Sequence, residues 1–315
     1  MKDTFSTYHP LLNMLYFVGV IGVTVFVVHP FILAISMFGG IVYSVLLKGW
    51  KKTIKFNLIF SIPMMLIVAL LNPMFNHYGV TILGYLYNGN PFTLESCVYG
   101  LVMAMMLVCT MIWFSCYTIV MTSDKFIYLF GRIIPALSLV LSMCIRFVPK
   151  FIREAGVISD GQKCIGRSAE NGGPVKRAKH GITIFSILVT WALENAIETS
   201  DSMKCRGYGE KGRTAFSLYR FDKRDGLCLL FMAGSFAATL FGFSRGYAFC
   251  QYDPKIIVSG MPPTAGSLFV CMAFLLFCIL PSALEVWDRH QWKQRRKRVE
   301  KAEQADYRLW ETAGE

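Results

Sequence analysis

Long apolar runs separated by short polar stretches dominate this chain. Six runs approach the ~20 residues that a helix needs to cross ~30 Å of hydrocarbon. They cover residues 11–28, 31–47, 54–71, 97–121, 227–243 and 267–286. The pattern therefore predicts an all-α, polytopic membrane protein with about six transmembrane helices.

Prolines subdivide these runs. Only His29 and Pro30 separate the first two, which predicts a tight helical hairpin, because proline is tolerated at the start of a helix. Pro63 and Pro281 fall inside later runs and predict kinks, since neighbouring helices can satisfy the backbone groups that proline frees.

Residues 122–224 follow a different pattern. Apolar residues at helical spacing, together with Gly- and Pro-rich breaks, predict three helices here. They cover residues 124–149, 150–165 and 180–206, with a loop at 168–174. Gly207 and Gly209 follow the last helix, where glycine is a common stop.

Charge assigns the sides of the membrane. The 315 residues are 54% hydrophobic and 17% charged, with a net charge of +12. Lys and Arg concentrate after the second run, in residues 123–224 and in the tail, whereas residues 72–95 contain neither. With six spans, the positive-inside rule places the three basic regions and both termini in the cytoplasm. Because the charge follows this topology, we expect no nucleic-acid partner.

Two shorter apolar stretches, 127–147 and 182–193, are interpreted as amphipathic helices at the cytoplasmic face. If both crossed the membrane, the basic residues between them would lie outside, against the positive-inside rule. The chain is thus predicted to divide into four parts. They are an N-terminal membrane part (1–121, about four spans), a cytoplasmic domain of long amphipathic helices (122–224), two further spans (225–287) and a basic tail (288–315).

Known catalytic patterns are missing from the sequence. It contains no Walker A motif and no HExxH, its five histidines are dispersed, and its ten cysteines form no CxxC pair. We therefore expect no catalytic residue, metal site or cofactor, and an intramembrane enzyme is disfavoured. No internal repeat is obvious, which weighs against a carrier built from inverted repeats.

Two separate signatures resemble one family. The run Ser202-Met203-Lys204-Cys205-Arg206-Gly207-Tyr208 is similar to the Ala-Met-Glu-Ala-Arg-Gly-Tyr run of the transmembrane T component (EcfT/CbiQ family) of energy-coupling factor (ECF) transporters. Upstream, Arg146-Phe147-Val148-Pro149, followed by Glu154 and Gln162, matches a second family pattern. Residues 72–81 and 90–95 are also similar to the family, and the resemblance covers most of residues 10–245.

The resemblance implies a membrane scaffold that binds two ABC-type ATPases and a small substrate-binding membrane subunit, the S component. ATP hydrolysis would belong to the ATPases, and the cargo would be a vitamin or a metal ion. The implied location is the plasma membrane of a prokaryote. Stand-alone secondary carriers and conventional ABC permeases are the alternatives.

The family carries an Xaa-Arg-Xaa motif at the end of each of two coupling helices. The second motif is Cys205-Arg206-Gly207. The first is assigned to Gly166-Arg167-Ser168, because the family's Arg-Gly positions read Ile165-Gly166 here. The S-component interface, or structural packing, is assigned to Met143, Arg146, Pro149, Leu188 and Trp191. By residue type alone, the more common interpretation of Arg206 is an ordinary cation that caps a helix C-terminus, where the helix dipole favours it, or that binds lipid phosphate.

Overall fold

Helices account for almost all of the regular structure in the computed structural model. It describes residues 3–77, 79–85, 91–131, 134–166, 173–210, 219–252, 256–258 and 264–313. The helices are α1 (Pro10–Phe26), α2 (Pro30–Lys48), α3 (Trp50–Phe56), α4 (Ile62–Phe75), α5 (Leu94–Val120), α6 (Ser123–Gly131), α7 (Pro135–Cys164), α8 (Pro174–Cys205), α9 (Lys223–Ser244) and α10 (Ala265–Ala313).

Two small antiparallel hairpins, which the apolar pattern does not predict, interrupt the helices. Strand β1 (Ile82–Tyr85) pairs with β2 (Pro91–Thr93), and β3 (Cys250–Gln251) pairs with β4 (Ile257–Val258). The chain divides into two units. Unit 1 comprises residues 1–122 and 219–315, and unit 2 comprises residues 123–218.

Six described helices are long and apolar enough to cross a membrane, which confirms the class of an all-α polytopic membrane protein. They are α2, the continuous stretch Trp50–Phe75, α5, α8, α9 and α10 as far as Glu300. The set differs from the predicted six in two members. Helix α1, the first predicted span, has 17 residues and falls just below this length, whereas α8 qualifies with the lowest mean hydropathy of the set.

The predicted distortion at Pro63 is a π-helical segment, Asn57–Ser61, between α3 and α4. Proline has no N–H to donate to the carbonyl four residues earlier, and a wider π turn accommodates the missing bond. The predicted hairpin at His29 and Pro30 is also present, since α1 ends at Phe26 and α2 begins at Pro30. Pro281 lies inside α10, which continues through it as one helix.

The helices of unit 2 begin and end at residues that differ from those predicted from the sequence. The predicted helix boundary at Pro149 is wrong, because α7 continues unbroken through this residue. The boundary between two helices lies before Pro135 instead. An interior proline costs about 3 kcal/mol, but polar and aromatic contacts with α8 from Lys150 and Phe151, directly after Pro149, hold this turn helical. Helix α8 starts at Pro174 and not at His180.

An aromatic cluster forms the centre of unit 1. Phe5, Tyr16, Trp113 and Phe277 are almost fully buried, with ring centroids 5.2 Å apart for Phe5–Tyr16 and for Tyr16–Phe277. Tyr16 also donates a hydrogen bond to the Cys278 carbonyl at 3.1 Å. Lipid tails are as apolar as these side chains, so close packing and interhelical hydrogen bonds must hold the helices together.

The segment before α1, residues 3–9, fastens one end of unit 1, and we call it the clasp. The Thr4 N–H donates to Glu285 Oε2 of α10 at 2.7 Å, and the His9 N–H donates to Asp225 Oδ1 of α9 at 3.3 Å. Arg289 binds Glu285 Oε1 at 2.7 Å and the Leu46 carbonyl of α2 at 2.9 Å. The clasp thus joins three helices that are distant in sequence.

Asp3 is the acidic group of the clasp. Tyr43 donates to Asp3 Oδ2 at 2.9 Å, whereas the buried Oδ1 receives no bond from a donor among the described residues. Burial, followed by the hydrogen-bonding contact with the Glu285 carboxyl, raises the pKa of Asp3 from 3.8 to about 6. Two carboxyl groups in contact favour one shared proton.

We expect the stability of the clasp to fall as the pH rises from about 4 to about 6. The pKa of Asp3 is higher in the folded chain than in the unfolded chain, so protonation of Asp3 favours the folded state. This stabilisation is complete below the pKa of the unfolded state and is lost as the pH rises through the pKa of the folded state. The effect should be roughly 1–2 kcal/mol after solvent screening. Thermal unfolding in detergent between pH 4 and pH 8 measures it.

Asp3→Asn should flatten this part of the pH profile, because the amide does not titrate. The matched control is Asp124→Asn, which removes an exposed acid and should leave the profile unchanged. An unchanged profile in Asp3→Asn would show that another group sets the pH dependence.

Candidate functional site

The candidate site is built on the crossing of α7 and α8 in unit 2. The Lys150 ammonium donates to Asn195 Oδ1 at 2.8 Å and lies 5.1 Å from the centroid of the Trp191 ring. Phe151 meets Trp191 edge-on at 5.9 Å, and Phe147 stacks on Phe151 at 5.8 Å. A charge-assisted bond and a cation–π contact therefore fix one helix against the other.

The residues assigned to an S-component interface lie along this pair of helices. Trp191 is part of the crossing itself, so its contacts with Lys150 and Phe151 account for its position. Met143 and Leu188 are half-buried, whereas Arg146 and Pro149 are exposed. Arg146 and Pro149 are exposed and therefore accessible to a partner. The contacts of Trp191 agree with the other assignment, structural packing.

Arg206 is the capping residue at the end of α8. The Gly207 N–H donates to the Lys204 carbonyl at 2.9 Å, and the Tyr208 N–H donates to the Met203 carbonyl at 3.0 Å. These two bonds form a Schellman motif, which requires the residue after the cap to adopt positive φ. Gly207 meets this requirement with φ 77°. The Arg206 side chain is exposed, and so is that of Cys205 before it.

The end of α7 shares one of these two bonds and the positive-φ glycine, with a different side chain at the capping position. Ile165 is the capping residue, and the Gly166 N–H donates to the Lys163 carbonyl at 3.0 Å. Gly166 also has φ 77°, and Ile165 is 63% exposed. The other two members of the predicted first motif, Arg167 and Ser168, lie outside the described residues.

Ile165 is a candidate position that the sequence assignments do not include. By its place before the positive-φ glycine it corresponds to Arg206, although the sequence assigns the first motif to Arg167. The available signal was a repeated pattern, Asp-x-x-Lys-Cys-x-Gly, which occurs at residues 160–166 and again at 201–207. The repeat is short, and only four of its seven positions are shared.

The chemistry of the site is that of binding. Among the described residues, no group of three His, Cys, Asp or Glu side chains lies close enough to hold a metal ion. The two helix ends instead present one exposed guanidinium and one exposed aliphatic side chain on firmly capped backbones.

We expect Gly207→Ala to destabilise the end of α8 by about 1–2 kcal/mol, because an L side chain is strained at positive φ. Gly181→Ala in the same helix is the matched control, since a Cβ there meets nothing within 4 Å. That change should stabilise the helix by about 0.5–1 kcal/mol. Hydrogen exchange of the amides at residues 200–208 would report the effect of Gly207→Ala, and exchange of the amides around residue 181 would report that of the control. Equal protection of residues 200–208 in the two variants would contradict the cap.

Several curated relatives are similar to this chain over part of its length. The Energy-coupling factor transporter transmembrane protein EcfT of Lactobacillus helveticus is 36% identical over 96 residues, which is 30% of this chain and 35% of that protein. EcfT of Leuconostoc gelidum is 32% identical over 105 residues, or 33% and 39% of the two chains. A match to EcfT of Acidaminococcus fermentans is 29% identical over 160 residues, or 47% and 60%.

The chain thus spans about a third of the length of the first two relatives. No protein-family model matches it. The resemblance that the two signatures predict is nevertheless confirmed at this level, because independent EcfT sequences match the chain.

Proposed function

We propose that this chain is the transmembrane T component of an ECF transporter, the scaffold that couples ATPases to a substrate-binding membrane subunit. The similarity to EcfT proteins and the multi-pass helical fold support this proposal. The single observation that carries it is the exposed Arg206 on the capped end of α8, within the run that resembles the family's coupling motif.

The proposed partners are two ABC-type ATPases in the cytoplasm and one S component in the membrane. In this scheme the chain hydrolyses no ATP, and the S component selects the cargo, a vitamin or a metal ion. The chain transmits movement of the ATPases to the S component through unit 2.

Arg206 has the chemistry for a strong contact with an ATPase, through which movement of the ATPase could be transmitted. A guanidinium offers several donors in a rigid fork, and it can bind a carboxylate through two charge-assisted bonds. The Schellman cap holds the backbone at its base, so displacement of a bound partner moves the helix end with it. The resemblance assigns a second candidate cation to Arg167, two residues after Ile165 in the sequence.

The crossing would pass this movement from one helix to the other. Lys150, Asn195 and Trp191 join α7 and α8 at about ten to fourteen residues before their ends. At 1.5 Å per residue, the two ends extend roughly 15–20 Å beyond the crossing. The helices would therefore act as two arms of one rigid unit.

The proposed orientation has both termini in the cytoplasm. The clasp brings the end of α2, the start of α9 and the region around Arg289 in α10 to one end of unit 1. Exposed cations surround this end, as the positive-inside rule expects of a cytoplasmic side. They include Lys51, Lys52, Lys223 and Lys293.

We place α8 at the membrane surface rather than across it, although its length and apolarity are enough for a span. The α7–α8 crossing carries the Lys150 ammonium, and charged groups are costly at the centre of a bilayer. Glu194, Glu198 and Asp201 also follow the apolar part of α8 and are exposed. These charges suit a helix with one face in water.

We expect Arg206→Glu to reduce the recovery of ABC-type ATPases with the purified chain at least about tenfold, because it opposes like charges at the contact. Substrate uptake driven by ATP should fall in parallel. The chain is purified in mild detergent from its host, and the bound ATPases are quantified by mass spectrometry and by ATP hydrolysis.

Arg153→Glu is the matched control for this variant. Arg153 is exposed on α7 and donates to the Pro149 carbonyl of its own helix at 3.4 Å, so the same charge reversal should leave the complex intact. Equal recovery of ATPases with Arg206→Glu and with the unaltered chain would contradict the proposed role of Arg206.

A stand-alone carrier is the alternative that α8 itself suggests, since α8 could then cross the membrane. Cys164 and Cys205 are exposed at the two helix ends and serve as natural probes. We expect a membrane-impermeant maleimide to label both only in inside-out vesicles, because both ends are proposed to be cytoplasmic. Cys164→Ser and Cys205→Ser variants identify each labelled site, and labelling of the two from opposite sides would favour the carrier.

A further inference from the structure

The ends of α7 and α8 are two copies of one local structure. Each carries the pattern Asp-x-x-Lys-Cys-x-Gly, at residues 160–166 and 201–207. In each copy the Asp and the Lys form an ion pair one helical turn apart. The N–O distance is 3.5 Å for Lys163–Asp160 and 3.4 Å for Lys204–Asp201.

The backbones of the two copies also agree. The capping residue Ile165 has φ −93° and ψ 14°, and Arg206 has φ −86° and ψ 10°. The following glycines share a φ of 77°, and each donates its N–H to the lysine carbonyl, at 3.0 Å and 2.9 Å. The Cα–Cβ bond of the capping residue therefore leaves both helix ends in the same direction relative to the helix.

The two copies differ where a partner would meet them. One capping side chain is an isoleucine that is 63% exposed, and the other is an exposed arginine. Arg167 does not restore the symmetry, because the repeat aligns it with Tyr208 and not with Arg206. A pocket that buries an aliphatic side chain must be apolar, whereas a groove that binds a guanidinium must supply a charged partner, because an unpaired buried charge is costly.

We propose that the two helix ends bind chemically different surfaces: Arg206 pairs with a carboxylate in one ATPase groove, and Ile165 fills an apolar pocket in the other. The inference rests on the proposed function and specifies the chemistry of its two partners. Two copies of one ATPase surface would not satisfy both ends, so each end of this chain selects its own groove.

Exchange of the two side chains tests the proposal. The variants are Ile165→Arg, Arg206→Ile and the double exchange, with Ile165→Leu and Arg206→Lys as conservative controls. Each is purified with the ATPases that accompany the unaltered chain, and the bound amount of each ATPase is measured. We expect Ile165→Arg and Arg206→Ile each to lower binding at least about tenfold, and the double exchange to restore neither contact.

The controls separate a specific contact from a general defect. Ile165→Leu keeps an aliphatic side chain of equal size and should bind within about twofold of the unaltered chain. Arg206→Lys keeps the charge but loses the fork, so its binding should lie between those of arginine and isoleucine. Circular dichroism of each variant checks that the helices remain folded.

A photo-cross-linking residue at position 165 or 206 gives an independent measurement. We expect cross-links from 206 beside an Asp or Glu and cross-links from 165 among apolar residues, in different grooves. Full binding by Ile165→Arg, or cross-links from both positions to equivalent carboxylate-bearing grooves, would overturn the inference. Absence of any ATPase from the unaltered complex would instead overturn the proposed function, so the two failures are distinguishable.

Discussion

Hydrocarbon provides no hydrogen-bonding partner for a polypeptide, and polar side chains at the centre of unit 1 meet this constraint by pairing with one another. Trp113 donates to Ser36 at 3.0 Å, and the Ser36 hydroxyl lies 2.8 Å from that of Thr24, so three helices share one buried polar contact. Around it, aromatic rings pack edge to face. Because lipid offers no hydrophobic advantage to such packing, these directional contacts decide which helices are neighbours.

Unit 2 obeys a different constraint, since its described surfaces are largely exposed and its order depends on a few polar contacts. The Lys150 ammonium contacts both Asn195 and Trp191, and the caps at Ile165 and Arg206 end the helices in a defined backbone conformation. Two helices with capped ends that contact each other at a crossing suit the transmission of movement better than the binding of a ligand. The proposed coupling role follows from that arrangement together with the similarity to EcfT proteins.

The sequence predicts the long helices well, because a span is defined by length and apolarity, as in α2, α5, α9 and α10. It does not predict that α7 continues through Pro149, because contacts with Trp191 and Asn195 override the local preference of proline. Nor does it predict the clasp, in which Thr4 and Glu285 meet across 281 positions of sequence. The backbone angles, together with the short sequence repeat, make Ile165 comparable with Arg206.

Helix α10 is one uninterrupted rod of 49 residues. At 1.5 Å per residue it measures about 74 Å, against roughly 40–45 Å for a whole bilayer with its headgroups. A straight helix of this length along the bilayer normal would extend about 30 Å beyond the lipid surface, at the end that carries Arg295–Arg298. Arg289 and Glu285 hold the rod where it leaves the helix bundle. A small tilt of α10 inside the membrane would consequently produce a larger displacement at its far end.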